Sequence, residues 1–398
     1  MRPLQGIRVL DLSSVIFGPL ASQILADYGA EVIKIEPPEG DSTRQTGPFR
    51  EPGMSAIFLG ANHSKQSVVL DLKQPKAQAA LQSLMAKADV LMHSMRPQKL
   101  AGLGLTPEVL RERHPRLVFA NLLGFLEGPY QGRPAYDDVI QGMSGLADLM
   151  ARQTGEARYL PTIAADKTCA HVAAHAILAA LMQRERSGVG CVVDIPMFES
   201  MVHFNLVEHF YGQHFEPPLA AAGYPRVLAP WRRPYKTTDG YVAMMPYTDT
   251  HWRKFFQAVK HEEHLGDPRF KDMAARTQHI AELLEIVSNI VASHATAHWL
   301  ALCQQLEIPA APVSRLEDLP HDPHLQAIGF FETLHDPQMG ELKFTGTPVR
   351  FNGQRQPVRM PPRLGEHTRH QLQASGWSDS DIDALLASGA ACDQGSAT

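Results

Sequence analysis

The chain is poor in cysteine, and its few cysteines lie far apart. Its 398 residues contain four, Cys169, Cys191, Cys303 and Cys392, and no two of them form a CxxC pair. Zinc knuckles and dithiol redox sites need cysteines at such short spacing. We therefore expect reduced thiols and neither of these two kinds of site.

The chain also lacks the glycine patterns that hold nucleotide phosphates. No GxGxxG follows the first predicted strand, Ile7–Leu12, and no GxxxxGK[ST] occurs anywhere. Those glycines let the backbone approach a pyrophosphate. Ordinary NAD and ATP sites are therefore disfavoured.

Neither a charge of one sign nor a long apolar run dominates the sequence. Lys plus Arg number 37 against 42 Asp plus Glu, a net charge of −5, and no dense basic stripe suggests nucleic acid. The sequence contains no run of about 18 apolar residues, the length needed to span a bilayer, and MRPLQGIRVLDL does not read as a signal peptide. We expect a soluble cytoplasmic protein that binds neither nucleic acid nor a membrane.

Metal binding has one weak signal. His171 and His175 lie four residues apart on a predicted helix, but no Glu lies between them and no obvious third ligand follows. Packing on a helix face is the simpler interpretation, and we expect no metal site.

Strand-like and helical segments alternate along the first half of the chain. A proline near the start and a glycine after the end punctuate a helical pattern at Leu20–Tyr28. Alternation of this kind predicts an α/β fold with a largely parallel, helix-covered sheet and ligands at the carboxyl ends of its strands. The predicted strands are Ile7–Leu12, Glu31–Glu36, Ser67–Leu72, Ala88–Met92, Leu117–Leu123 and Cys191–Pro196.

A Pro-rich stretch, FEPPLAAAGYPRVLAPWRRP, is the predicted crossover to a second domain. Beyond it, YKTTDGYVAMMP reads as a hairpin that turns at Asp239-Gly240, and helical patterns follow. From Glu332 onward, strand patterns in GELKFTG and TPVRF and a helical pattern at Asp379–Ala387 indicate a return to the first domain. We predict a large Rossmann-like domain at 1–224 plus 331–398 and a smaller α/β domain at 225–330.

Asp166 is the acid at the head of a long helical pattern, HVAAHAILAALMQRERSG, and follows apolar residues. One interpretation is a helix N-cap, whose carboxylate accepts hydrogen bonds from the first free amides. The other is a reactive carboxylate held at the mouth of the helix. From these residues alone, both interpretations stay open.

An ordered set of stretches carries a family resemblance. They are VLDLSSVIFGPLASQILADYGAEVIKIEPPEGDSTR, KQSVVLDLK, the RP of HSMRP, GRPAYDDVIQGMSG, GVGCVVDIPMFESM and LGEHT. Together they cover almost the whole chain and resemble the family III CoA-transferases (the CaiB/BaiF family), which include formyl-CoA transferase and carnitine CoA-transferase. The resemblance implies an interlocked homodimer that moves CoA from an acyl-CoA donor to a small free carboxylic acid. Acyl-CoA is then a substrate, and no tightly bound cofactor is expected.

The resemblance places the family's catalytic carboxylate on Asp166. Such a carboxylate attacks a thioester, becomes a mixed anhydride and is converted by the CoA thiolate into an aspartyl thioester, which only Asp or Glu can do. The resemblance also implies CoA contacts, with Lys73 and Arg96 suited to phosphate, although most such cations are simply solvated. The implied contacts are Ile16, Phe17, Leu72, Lys73, Ser94, Met95, Arg96, Ala135, Tyr136 and Asp137.

Three departures from formyl-CoA transferase bear on the substrate. Ile16 stands where that enzyme has a glutamine, Pro37 stands where it has an arginine, and AAGYPRVLAPWRR has no counterpart of its Gly-rich loop. We therefore expect formyl-CoA and oxalate to be poor substrates and a larger or more apolar acid to be preferred.

Two other functions fit the same resemblance. An α-methylacyl-CoA racemase would need a His where this chain has Tyr136, because a tyrosine near pKa 10 is a poor proton shuttle. A catalytically silent acyl-CoA-binding homologue is the second alternative, and the intact Asp166 argues against it.

Overall fold

The structure is a computed structural model that describes residues 2–95 and 97–393. Its strands follow runs rich in Val, Ile and Leu, as expected for a sheet buried on both faces. They are β1 (Arg8–Leu12), β2 (Glu31–Glu36), β3 (Gln66–Leu70), β4 (Val90–His93), β5 (Val118–Leu123), β6 (Val192–Pro196), β7 (Tyr235–Lys236), β8 (Tyr241–Met244), β9 (Ala310–Pro312), β10 (Phe331–Asp336), β11 (Gly340–Thr345) and β12 (Ala391–Cys392).

The helices are mostly short, and several begin with a proline or with a Ser, Thr or Asp cap. They are α1 (Phe17–Asp27), α2 (Ala56–Asn62), α3 (Pro75–Met85), α4 (Pro97–Gly102), α5 (Pro107–Arg113), α6 (Asp137–Met143), α7 (Leu146–Thr154), α8 (Ala164–Ser187), α9 (Met197–His209), α10 (Pro225–Leu228), α11 (Asp249–Ala258), α12 (Met273–Gln278), α13 (Ile280–Val291), α14 (Thr296–Leu306), α15 (Pro323–Ala327), α16 (Thr368–Ala374) and α17 (Asp379–Ala387).

The central sheet has seven strands in the order β12-β3-β2-β1-β4-β5-β6. β1 to β6 are parallel, and β12 joins the edge antiparallel to β3. This is the doubly wound order of dinucleotide-binding folds, in which the direction of winding reverses between β1 and β4. The predicted parallel α/β sheet is confirmed, and its reversal point puts a crevice at the carboxyl ends of β1 and β4.

The chain separates into two compact units. The larger unit, Met1–Ser144 with Pro161–Val202 and Pro323–Thr398, holds the central sheet, and the smaller unit is Gly145–Leu160 with His203–Asp322. The predicted division into a large CoA-binding domain at 1–224 plus 331–398 and a small domain at 225–330 stays a prediction.

The smaller unit is built on an antiparallel sheet, β7-β8-β9. β7 and β8 pair through Tyr235 and Val242, which confirms the predicted hairpin. Its core is aromatic and aliphatic and contains Trp252, Phe255 and Trp299.

The predicted start of one helix and one predicted strand were wrong. α1 begins at Phe17 rather than Leu20, because a proline in the first helical turn gives up only an N–H that has no helical acceptor. TPVRF is not a strand, since its only β contact is an isolated bridge from Phe351 to Gln354.

A cluster of buried charges holds the loop after β1. Asp11 accepts hydrogen bonds from the hydroxyls of Ser13 and Ser22, and Lys65 Nζ lies 3.5 Å from its Oδ2. Lys34 Nζ donates to the Ser13 carbonyl at 2.9 Å. Burial raises the pKa of Asp11, but Lys65 and Lys34 outweigh burial and hold it below its ordinary value. The carboxylate is therefore ionised, in contact with Lys65 and stabilised at longer range by the charge of Lys34.

Asp41 extends this cluster to the backbone of the same loop. Its carboxylate pairs with Lys34 Nζ at 2.8 Å and accepts from the Val15 N–H at 3.3 Å. Val15 has a φ of 71°, which a β-branched residue adopts only at a cost of about 1–3 kcal/mol. The surrounding ion pairs hold this strained conformation in place.

No single helix within residues 2–95 and 97–393 is long and apolar enough to cross a bilayer. α13 and α14 reach that length and apolar character only as a pair, and a bend of 120° lies between them.

Replacement of Asp11 tests the buried cluster. Asp11→Asn keeps the side-chain volume but leaves Lys65 buried without its carboxylate partner and removes a nearby negative charge from Lys34, so we expect the free energy of unfolding to fall by about 3 kcal/mol. Urea unfolding at fixed protein concentration measures it. As a control, Asp383→Asn breaks an exposed pair with Arg369 and should cost less than about 1 kcal/mol. An equally small loss for Asp11→Asn would contradict the role given to the cluster.

Candidate functional site

A cavity of about 910 Å³ lies in the larger unit, where the strands of the central sheet end. Its walls come from the residues that follow β1, β4, β5 and β6, which the parallel arrangement brings to one edge. Its size suits a small-molecule site, for which about 300–1,000 Å³ is typical. Its lining includes Ser14, Val15, Phe17, Ser94, Met95, Gly124, Phe125, Arg133, Ala135, Tyr136, Asp166 and Met197.

Asp166 lines this cavity as the third residue of α8. The N-cap position belongs to Ile163, whose side chain makes no capping hydrogen bond. The interpretation of Asp166 as the N-cap is therefore wrong. Asp166 is instead a residue 9% exposed at the positive end of a 24-residue helix.

The first turn of α8 is capped from another helix. Asp137, the first residue of α6, accepts a hydrogen bond from the Asp166 backbone N–H at 3.0 Å. Its other carboxylate oxygen accepts from Gln141 Nε2 at 2.5 Å, and that amide also donates to the Thr162 carbonyl. The start of α8 is thus fixed by a carboxylate that satisfies one of the free helical amides.

The environment of Asp166 changes its acidity. Burial, and secondly the negative charge of Asp137, raise the pKa of the Asp166 carboxyl from 3.8 to about 6. The group is mostly ionised at neutral pH, yet it is poorly hydrated and more basic than an ordinary aspartate. These are the properties of a carboxylate nucleophile or base.

A ladder of polar side chains crosses the floor of the cavity. His93 Nε2 donates to Asn121 Oδ1 at 2.7 Å, and Asn121 Nδ2 donates to Asp194 Oδ1 at 2.6 Å. The three residues face each other in register on β4, β5 and β6. Burial lowers the pKa of His93 to about 4, and its Nδ1 accepts from the Met95 N–H at 3.1 Å. A neutral imidazole therefore orients the loop after β4.

This ladder was not predicted. Its signal in the sequence is a polar residue inside each of three apolar strand patterns, VLMH, VFANLL and VVDIP. Such residues are costly in a sheet unless they are paired. Only the strand register shows that they pair with each other.

Close packing shapes the opposite wall. A Cβ added to Gly124 would lie 2.4 Å from the Cβ of Ala135, so Gly124 does not tolerate a side chain unless Ala135 shifts. Arg133, beside Ala135, stacks its guanidinium 4.5 Å from the centre of the Tyr130 ring and lines the cavity. It is a cation that sequence reasoning did not select.

The structure brings together six of the predicted site residues and separates the others. Lining the cavity are Phe17, Ser94, Met95, Ala135, Tyr136 and Asp166. Four predicted residues do not line the cavity. Ile16 is buried before α1, and Leu72 packs against the core. Lys73 is exposed after β3, and the Asp137 carboxylate accepts a hydrogen bond from the α8 backbone. Arg96 lies outside the described residues.

The raised pKa of Asp166 can be measured directly. In an infrared pH titration, with the carboxyl band assigned by its loss in Asp166→Asn, we expect the carboxylate to form as pH rises through about 6. Asp137→Asn should lower this midpoint, because it removes a negative charge while its amide oxygen can still accept the Asp166 N–H. Asp138→Asn, which alters the exposed neighbour, is the control. A midpoint near the ordinary value of about 4 in the wild type would refute the electrostatic description.

The chain is similar to known proteins over most of its length. The chain matches the family model of CoA-transferase family III over residues 4–368. It is 30% identical to succinyl-CoA:glutarate CoA-transferase of Mus musculus, over 98% of this chain and 90% of that protein. It is 28% identical to formyl-CoA:oxalate CoA-transferase of Escherichia coli O6:H1, over 96% of this chain and 98% of that protein. The crystal structure of Rv3272 from Mycobacterium tuberculosis aligns with a TM-score of 0.79 at 31% identity, over 92% of this chain and 98% of that one.

Proposed function

The chain belongs to CoA-transferase family III, and on that premise we propose that it moves CoA from an acyl-CoA donor to a free carboxylic acid through an aspartyl-CoA thioester on Asp166. The observation that carries the proposal is a buried carboxylate of raised pKa at a helix N-terminus, facing a cavity large enough for a thioester. Acyl-CoA is a substrate in this proposal, and the protein supplies the nucleophile.

In the first half-reaction, a carboxylate oxygen of Asp166 attacks the donor's thioester carbon. The CoA thiolate leaves, and a mixed anhydride forms. The thiolate then attacks the Asp166 side-chain carbonyl, releasing the donor acid and leaving Asp166 as its CoA thioester. The second half-reaction repeats these steps in reverse with the acceptor acid and regenerates the carboxylate.

Two features of the site support a carboxylate nucleophile. Desolvation makes the Asp166 carboxylate more reactive than a hydrated one, and the α8 N-terminus can stabilise negative charge that develops beside it. Cys169, the nearby thiol, is a poor competitor. Burial, and then Asp166 and Asp137, raise the pKa of Cys169 to about 12, so it stays protonated at neutral pH.

We propose that CoA itself occupies the cavity beside Asp166. Phe17, Ser94, Met95, Ala135 and Tyr136 are the predicted contacts that line it. The proposal keeps the remaining predicted CoA contacts, which are Ile16, Leu72, Lys73, Arg96 and Asp137. Arg133 adds a lining cation suited to a CoA phosphate.

The names of the relatives indicate which acids to try first. Succinyl-CoA with glutarate, and formyl-CoA with oxalate, are the pairs named for two of them. We propose an acceptor larger or more apolar than oxalate, because Val15, Phe17 and Phe125 contribute apolar wall to the cavity.

A trapped intermediate tests the mechanism. Incubated with succinyl-CoA and no acceptor, part of the protein should gain the mass of CoA less water on the peptide that contains Asp166. Hydroxylamine should convert that side chain to a hydroxamate and stop turnover. Asp166→Asn should bind CoA without an adduct, and Asp166→Ala should lose at least about a hundredfold in rate, because the nucleophile is gone.

Other outcomes identify the alternatives. An adduct on Cys169 would replace the carboxylate mechanism with a thiol one. Exchange of solvent deuterium into the substrate α-carbon without an adduct would indicate a racemase. Binding of acyl-CoA with neither result would indicate a catalytically silent homologue.

We also propose a homodimer. Single helices expose large apolar side chains: Val172 and Met182 on α8 are 38% and 59% exposed, and Phe204 and Val207 on α9 are 53% and 68% exposed. Apolar surface of this extent on a helix usually meets a partner. The family resemblance identifies that partner as a second copy with which the chain interlocks.

Sedimentation tests the assembly. We expect a dimer at micromolar concentration that does not dissociate on dilution, because interlocked chains cannot part without unfolding. A folded monomer under these conditions would contradict the proposal.

A further inference from the structure

A second cavity, of about 550 Å³, lies wholly within the smaller unit. Its walls include residues of β7, β8 and β9 and of α11 and α13. The lining is mainly apolar, but three arginines contribute to it and no acidic side chain does. The residues are Arg226, Arg232, Arg233, Pro234, Tyr235, Ala243, Met244, Met245, Pro246, Trp252, Ile280, Leu284, Pro309, Ala310 and Ala311.

Arg226 is buried without a counter-ion. It is 3% exposed, its Nη1 lies 3.1 Å from Met273 Sδ, and its Cζ lies 5.3 Å from the centre of the Tyr247 ring. Among the described residues, no carboxylate oxygen lies within 4.0 Å of it. Because an arginine cannot lose its proton in a protein, this charge stays, and buried charges are normally paired.

The same unit shows what a buried arginine ordinarily has. Arg276, 2% exposed, pairs with Asp249 and donates to the Phe270 carbonyl at 2.9 Å. Arg226 has no equivalent partner. Of these two buried arginines, the one that lines the cavity is the one without a carboxylate partner.

A second donor on the same cavity is also unsatisfied. Trp252, which lines it and is 4% exposed, has a buried indole Nε1 without a hydrogen-bond partner among the described residues. Buried donors of this kind are rare unless a ligand or water satisfies them. Arg226 and Trp252 belong to different helices, α10 and α11, so one local irregularity does not explain both.

The neighbouring groups reinforce the preference for an anion. Arg232 Nη1 donates to the Arg226 carbonyl at 3.3 Å, and the Arg233 guanidinium stacks 4.6 Å from the centre of the Trp231 ring. Burial raises the pKa of the Tyr235 phenol, so that group remains a neutral donor. The cavity thus combines positive charge and hydrogen-bond donors with an apolar wall.

We propose that this cavity binds a free carboxylic acid with a hydrocarbon body, its carboxylate paired with the Arg226 guanidinium and its chain against Met244, Ile280 and Leu284. A guanidinium holds a carboxylate through two parallel hydrogen bonds. The apolar lining favours such an acid over inorganic phosphate. No residue that lines this cavity also lines the cavity at Asp166, and the proposal stands whether or not the proposed transfer reaction does.

Calorimetry and tryptophan fluorescence with octanoate test the site. The wild type should bind octanoate and should bind the uncharged analogue octanamide at least about tenfold more weakly, because the amide cannot pair with Arg226. Arg226→Met should weaken octanoate binding at least about tenfold. Arg253→Met, which changes an exposed arginine outside the lining, should leave it within about twofold.

Two further variants keep the test decisive. Trp252→Phe removes the indole N–H but keeps an aromatic ring, and should weaken binding several-fold by calorimetry even if Arg226→Met fails to fold. Asp166→Asn should bind octanoate as the wild type does. Four results would overturn the proposal. They are no binding of octanoate, binding no tighter than that of octanamide, equal displacement of octanoate by inorganic phosphate, and loss of octanoate binding in Asp166→Asn.

Discussion

The carboxylate of Asp11 is the interaction on which the arrangement of the larger unit depends. It lies at the point where the sheet changes its direction of winding, and the loop that follows must turn away while its polar backbone is buried. The hydroxyls of Ser13 and Ser22 and the amino group of Lys65 satisfy that carboxylate, and Lys34 fixes the loop by donating to the Ser13 carbonyl. A buried charge alone would be destabilising, and only the complete cluster offsets the free-energy cost of removing the Asp11 carboxylate from water. The cavity wall after β1 is therefore a consequence of ion pairing rather than of apolar packing.

Two carboxylates meet at the start of α8 and take different roles because of geometry. Asp137 accepts hydrogen bonds from the Asp166 N–H and from Gln141, so both of its oxygens are occupied. Asp166 faces the cavity and is left mainly with burial and a negative neighbour, and its pKa rises. The capping contact thus positions the helix and makes the adjacent acid more basic. The sequence did not predict the contact between Asp137 and the Asp166 N–H, because it joins two helices and residues 29 positions apart.

The sequence predicted those parts of the fold that depend on local residue patterns. Alternating strand and helix patterns gave the parallel sheet, and the hairpin around Asp239-Gly240 followed from turn chemistry. The His93–Asn121–Asp194 ladder could not be predicted, because it depends on the register between strands that are far apart in sequence. The unpaired charge of Arg226 was equally invisible, since only a folded chain shows which cations lack a partner.

The charge of Asp166 also constrains the order of events in the proposed reaction. Asp166 is largely ionised at neutral pH, and Glu108, Glu127 and Asp194 line the same cavity. An acceptor carboxylate entering this site would meet repulsion from Asp166 at close range. Formation of the aspartyl thioester removes that charge and turns the same carbon into an electrophile. On this mechanism the acceptor gains access only after the donor acid has been released, so covalent catalysis itself enforces the sequence of two half-reactions.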